Sequence, residues 1–244
     1  MLIRLFICLC FLPCLAEAGT LSIMGSSSRM VSVDKVFDGD TFKTKTGERV
    51  RLLGMNTPEV AHRDSPAQPF GDIASRLLKK MIDGQSVRLV TDKEKKDRYG
   101  RTLAHVYLKD NTWINGEIVK QGMAHVYTFA PNFKHAKELN QLEQQARKKD
   151  LGIWHHKRYK VLDAAKVSKK HLGQFRVVRG QVSNIKKHRF KLGKISVGIP
   201  RKARSYMPEL DLQQGQTIVV HGKIRMSRTK TLFMSLYNPT DLEL

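Results

Sequence analysis

All three cysteines of this 244-residue chain fall within its first fourteen positions, at Cys8, Cys10 and Cys14. Everything after them must fold without a disulfide framework, so each domain has to be large enough to bury a hydrophobic core of its own. Thiol chemistry and cysteine-ligated zinc are excluded over the same stretch.

The cysteines lie in a segment with the layout of a secretory leader. Arg4 precedes an apolar run from Leu5 to Leu15, and Ala16-Glu17-Ala18 supplies the small residues a signal peptidase needs ahead of Gly19. That run is too short to cross a hydrocarbon layer of about 30 Å as a helix, so cleavage after Ala18 is expected rather than an uncleaved anchor. A lipoprotein reading through Cys14 is weakened by Phe11-Leu12-Pro13, which lacks the small residue that normally precedes a lipidated cysteine. The expected product is exported, periplasmic or extracellular, monomeric, and without stable membrane insertion.

Charge narrows the partner. The chain has 44 Lys and Arg against 22 Asp and Glu, and from residue 156 onward the ratio is 20 to 5. An excess concentrated in this way suits a polyanion, DNA or RNA first, with anionic lipid or cell-wall polymers satisfying the same balance.

From Met30 to Leu108, β-branched and apolar residues alternate in short segments: Val31–Phe37, Thr41–Lys45, Glu48–Leu53, Ser86–Thr91 and Thr102–Leu108. Helical spacing intervenes at Gly71–Ile82, and again at Thr112–Gly122 and Lys134–Lys149. Strands first and helices packed on them imply a small barrel of the α+β class. After Trp154 comes a basic stretch, read as a linker over 156–171 or a short basic helix. Alternation then resumes at Gln174–Ser183, Arg189–Gly198, Gln216–Met226 and Thr231–Leu236, enough for a second small β-barrel.

Three fragments of the front part carry residue types suited to phosphate chemistry. Asp38-Gly39-Asp40-Thr41 sets two carboxylates around a tight turn, an oxygen-rich loop of the type a hard cation accepts, although Asp-Gly-Asp is also an ordinary solvated hairpin end. Arg51 to Glu59 offers a guanidinium and, beyond Pro58, a carboxylate base. Arg98-Tyr99-Gly100-Arg101 adds a second guanidinium before a strand; by itself it is equally a charged hairpin. His155-His156 has no further ligand at metal spacing and reads as solvated, while His105 and His125 read as barrel residues.

Taken in order, Val36-Phe37-Asp38-Gly39-Asp40-Thr41, Arg51 to Glu59, Asp97-Arg98-Tyr99-Gly100-Arg101 and Leu151-Gly152-Ile153-Trp154 resemble the staphylococcal nuclease family over about Met30 to Trp154. The resemblance implies an OB-type five-stranded barrel with three helices and a Ca²⁺-dependent endonuclease that splits the 5′ P–O bond of DNA or RNA to leave 3′-phosphate ends. It implies that Asp40, Asn56 and Thr57 hold the metal, that Glu59 orients or deprotonates the attacking water, and that Arg51 and Arg101 grip the phosphate. Tyr127 falls near a family tyrosine that packs on the nucleotide, with the spacing shifted by one residue. Asn56 departs from the pattern, because the family often has an aspartate there, so weaker calcium binding or another divalent preference is expected.

The rear segment is faintly similar to the OB-like extension behind some bacterial members, through Gly180-Gln181-Val182, Val219 to Ile224 and Tyr237-Asn238-Pro239. Lys186, Lys187, Arg189 and the cluster Arg201-Lys202-Ala203-Arg204 are candidates for an electrostatic groove, with Phe190 or Tyr206 as stacking platforms. The expected organisation is a leader over 1–18, a catalytic domain over 29–155, the linker, and a basic OB-like β-domain over 172–244. The rival reading is a binding protein that grips nucleic acid or an anionic envelope polymer without cutting it.

Overall fold

The computed structural model describes residues 28–62 and 65–244; the leader read from the sequence lies outside them. Seven strands form in the front part: β1 (Ser28–Val36), β2 (Thr41–Thr44), β3 (Arg49–Leu52), β4 (Met55–Asn56), β5 (Ser86–Val90), β6 (Thr102–Tyr107) and β7 (His125–Val126). Five of them close a barrel in the order β1-β2-β3-β6-β5, and β4 pairs with β7 as a separate short ribbon. All barrel neighbours run antiparallel except β3 and β6, which are parallel with Arg51 opposite Leu103. The pleat sorts side chains as the alternation requires: Val50 and Leu52 go into the core, Arg49 and Arg51 away from it.

Three helices cover the barrel: α1 (Gly71–Ile82), α2 (Ile114–Lys120) and α3 (Ala136–Lys148). Their apolar stripes place Leu78, Ile82, Ile114, Ile118 and Leu139 in one core with Val33, Phe42, Val50 and Leu89. Truncating one such side chain, Leu78→Ala for example, costs about 2–5 kcal/mol. His105 and His125 are buried as expected, and burial above all holds both pKa values down to about 3.

The rear part is an eight-stranded curled sheet: β8 (Leu162–Asp163), β9 (Phe175–Lys186), β10 (Arg189–Leu192), β11 (Ile195–Gly198), β12 (Thr217–Lys223), β13 (Arg225–Met226), β14 (Leu232–Ser235) and β15 (Leu242–Glu243). Its path runs β13-β14-β11-β10-β9-β12-β15, with β8 joined to β9, and stays open between β13 and β15 instead of closing by a ladder. Val178, Leu192, Val197, Ile218, Val220 and Met234 fill its core.

Three details differ from the sequence expectation. Arg189–Gly198 is a hairpin of β10 and β11, because Gly193 takes a left-handed φ of 55° that breaks the run. Phe190 is no stacking platform: it is almost wholly buried, pointing into the sheet's core with Leu192. The basic stretch after Trp154 is no free linker. It contributes β8, pairs with β9, and buries Tyr159, Ala164 and Val167, while its cations stay outside.

Front and rear parts share a third core. Ala146, Ile153 and Trp154 of the front pack with Tyr159 and with Val177 of β9. Beside it lies a polar knot: Glu143 of α3 is fully buried, accepts from the Val126 backbone N–H at 2.5 Å, and sits 3.5 Å from His221 Nδ1 of β12. His221 Nε2 meets Glu243 at 2.6 Å, and Arg147 of α3 pairs with both glutamates. Burial pushes Glu143 above the ordinary carboxylate range. Burial would lower His221, but the charges of Glu143 and Glu243 outweigh it and hold the imidazole above its usual value.

Candidate active site

The site is assembled from the turn before β2, from β3 and β4, and from the loop that follows. Asp40 directly precedes β2 and is buried, and its two oxygens are both engaged. Oδ1 pairs with the Arg51 guanidinium and accepts from Thr41 Oγ1 at 3.1 Å; Oδ2 accepts from the Thr57 backbone N–H at 2.9 Å and from Thr57 Oγ1 at 3.0 Å. Arg51 also donates to Asn56 Oδ1 at 2.7 Å, and Asn56 Nδ2 donates to the Thr57 carbonyl at 3.0 Å.

Two glycines let these segments approach. A Cβ on Gly39 would stand 2.7 Å from both Ala74 Cβ and Thr57 Cγ2, so the Asp38–Asp40 turn lies against α1 and Thr57 only because that atom is missing. At the start of α1, a Cβ on Gly71 would overlap the Glu59 carbonyl, which accepts from the Gln68 backbone N–H at 2.9 Å. The backbone of Glu59 is thereby seated on the helix start while its side chain is exposed.

Asp38 lies beside Asp40 and accepts from the Asp40 backbone N–H at 3.0 Å. Burial first, and then the charge of Asp40, push the Asp38 carboxyl up to about 7. Two carboxylates are thus crowded into one turn beside Arg51, the one cation among the described residues that pairs with either, a disposition that a further cation relieves. Asp40, Asn56 and the Thr57 carbonyl offer oxygens, the donor type a hard divalent ion takes, and each is hydrogen-bonded within this cluster.

Above this floor opens a cleft of about 690 Å³. Arg51, Asn56, Glu59, Arg101 and Tyr127 all line it, while Asp40 and Thr57 sit beneath, held to Arg51 and Asn56. Arg101 is fixed by Asp97, whose carboxylate takes Arg101 Nε at 2.7 Å and the Arg101 backbone N–H at 3.0 Å. Tyr127 is half-buried, edge-on to Phe129 at 4.4 Å and to Phe175 at 5.3 Å.

Lys186, Lys187 and Arg189 stand apart from these residues, on the turn between β9 and β10, and do not line the cleft. Tyr206 leans on Phe133, its ring 5.5 Å away. Of the basic candidates of the rear part, Lys202 does line the cleft, and residues passed over in the sequence join it: Phe175, Lys223 and Arg225 of the rear sheet line the side opposite the barrel. The available signal was the exposed–buried–exposed pattern of Lys223-Ile224-Arg225, which sets two cations on one side of a strand end. A wider groove of about 820 Å³ on the outside of the rear sheet, lined by Asp163, Arg179, Gln181 and small residues, holds no comparable set of guanidinium groups and carboxylates.

Comparison with known proteins gives the family. A family model described as staphylococcal nuclease homologue matches residues 49–156. A thermonuclease of Staphylococcus intermedius is 44% identical over 125 residues, covering 50% of this chain and 74% of the relative. A thermonuclease of Staphylococcus hyicus is 36% identical over 146 residues, 57% of this chain and 86% of the relative. An endonuclease of Bacillus subtilis is 36% identical over 129 residues, covering 51% and 61% respectively.

Proposed function

The chain belongs to the staphylococcal nuclease family and is a nuclease, and on that premise we propose that it is an exported, Ca²⁺-dependent endonuclease leaving 3′-phosphate ends on DNA or RNA. The observation that carries this reading is the meeting of Arg51, Glu59 and Arg101 in one cleft, over a floor of oxygens from Asp40, Asn56 and Thr57. A pure binder has no use for a carboxylate base facing phosphates.

A hard cation held by Asp40, Asn56 and Thr57 would supply charge neutralisation for the developing phosphorane. Arg51 and Arg101 would grip the non-bridging oxygens, two guanidinium groups each preset by a carboxylate partner. Glu59, exposed in the cleft, takes a proton from the attacking water; the water oxygen bonds phosphorus as the 5′ P–O bond breaks, and the leaving 5′-oxygen takes a proton from the solvent of the open cleft, giving a 3′-phosphate and a 5′-hydroxyl. The apolar leader ending at Ala18 supports export to the periplasm or medium, and no described helix is long and apolar enough to cross a membrane. The domain bounds read from the sequence, 29–155 and 172–244, belong to the same proposal.

The test is a plasmid and RNA digest with Ca²⁺ and with EDTA, followed by end-group analysis. Cleavage that persists in EDTA, or fragments bearing 5′-phosphates, would overturn the proposal.

A further inference from the structure

The cations around the cleft fall into two kinds. In the barrel, Arg51 is already paired with Asp40 and Arg101 with Asp97, and Arg98 donates to the Tyr99 hydroxyl at 2.6 Å. Those of the rear sheet are unpaired: Lys223 and Arg225 are exposed and, among the described residues, form no ion pair or hydrogen bond through their side chains. Exposed cations with no partner in the protein are free to take a polyanion's phosphates.

The fold determines where they stand. Lys223 ends β12 directly opposite Phe175 of β9, and Arg225 begins β13, with Ile224 between them fully buried. Both cations therefore leave the sheet toward the cleft. An adjoining cavity of about 190 Å³ shares Asn56, Glu59, Tyr127, Phe175 and Lys223 with the main cleft and carries Arg158 on its wall. Lys223 serves both cavities and Arg225 only the larger one, so the two cations are spread along a continuous groove that passes Glu59. Arg51, Tyr127 and Arg225 line the same cleft, so barrel and rear sheet both contribute cations to it.

We propose that Lys223 and Arg225 bind the backbone phosphates that flank the scissile one, so that a single nucleic-acid strand is gripped between the barrel and the rear sheet. The proposal rests on the nuclease reading of the cleft and assigns the rear sheet a direct part in substrate positioning. These are binding residues and not catalytic ones, because the reacting phosphate belongs to Arg51, Arg101 and Glu59. Tyr127 and Phe175, edge-on to each other in the same groove, offer aromatic surface for a neighbouring base.

Binding in EDTA isolates this wall from cleavage. A fluorescein-labelled single strand of about twelve nucleotides, titrated over a series of NaCl concentrations, is expected to show a log K against log salt slope that is shallower by about 1.4 for Lys223→Gln/Arg225→Gln, two lost contacts at about 0.7 each. With Ca²⁺, the double variant is expected to raise KM on a long strand severalfold at unchanged kcat, and to leave a dinucleotide with one phosphodiester unaffected. An unchanged slope and KM overturn the proposal, as does an equal loss on the dinucleotide, which would place the pair at the reacting phosphate or in folding. A slope change confined to Lys186→Gln/Lys187→Gln/Arg189→Gln also overturns it, by moving the grip to the β9–β10 turn. Should the wild type cut neither substrate, the nuclease reading falls, and the EDTA slope still decides the fate of the wall.

Discussion

Two buried clusters in this molecule are made of similar parts and end differently. At the cleft floor, Arg51 is set against Asp40 and Asn56; at the junction, Arg147 is set against Glu143 and Glu243 with His221 between them. The junction knot is enclosed, and its two carboxylates are matched by an arginine and an imidazole that favours its charged form. The cleft floor is left short of positive charge, with Asp38 pushed up to about 7, and it opens to solvent through Arg51. Balanced charge in a closed space fastens two parts together, whereas unbalanced charge under an open cleft is available to a cation and a phosphate.

The largest expected effect separates the two clusters by activity. Glu59→Gln removes the base and should lower kcat by about 10²–10⁴ with melting temperature unchanged, and Arg51→Ala should lower it by about 10²–10³. A Glu59→Gln enzyme within a small factor of wild type would strip the cleft of its assigned chemistry. The reverse signature is expected at the junction: Glu143→Ala leaves Arg147 and His221 with Glu243 as their one remaining carboxylate and the buried Val126 N–H without its acceptor, and should cost about 3–5 kcal/mol in chemical denaturation. A loss below about 1 kcal/mol would show the knot to be dispensable.

A smaller effect sharpens the contrast at the floor. In the wild type, Asn56 spends its amide bridging Arg51 and the Thr57 carbonyl. Asn56→Asp replaces a neutral ligand with a charged one, so half-activation should occur at about tenfold lower Ca²⁺. Equal half-activation concentrations for the two enzymes would remove Asn56 from the metal site.

The smallest effect is a pH dependence at the junction. The folded pKa of His221 is raised above its ordinary 6.5, so its contribution is complete below that value and is lost as pH rises through the folded pKa. Burial gives Glu143 the same sign, since its anion is disfavoured in the folded chain. Glu243 acts oppositely: burial raises it, but the hydrogen bond from His221 outweighs that and lowers it, so its contribution is present above 4.5 and fades as pH falls through the folded value. Melting curves from mildly acidic to mildly alkaline pH should therefore fall more steeply above 6.5 for the wild type than for His221→Gln. Parallel curves would show that His221 keeps its ordinary pKa.

The front part was legible because its information is local. Val50 and Leu52 alternate with Arg49 and Arg51, and Ala74, Leu78 and Ile82 recur at helical spacing, so a short window suffices to assign each element. The site residues clustered for the same reason, within the turns and strand ends from Asp38 to Arg101. The rear part resisted because its alternation continues through a turn: nothing in Leu192-Gly193-Lys194-Ile195 announces two strands except a glycine that a strand also tolerates. The stretch after Trp154 hid Tyr159, Ala164 and Val167 among its cations, and three isolated apolar residues make no period. Lys223 and Arg225 could not be assigned to the cleft, because their neighbours there, Arg51 and Glu59, lie far away in the chain and meet them only when the sheet docks.

The shared third core bears on how this molecule can be taken apart. Cutting the chain after His155 would uncover Ala146, Ile153 and Trp154, an indole and its companions that now rest on Tyr159 and Val177. The severed barrel would keep the groups lining its side of the cleft yet gain an adhesive apolar scar and a Glu143 stripped of its His221 partner, so its failure in a test tube would report clumping before it reported chemistry.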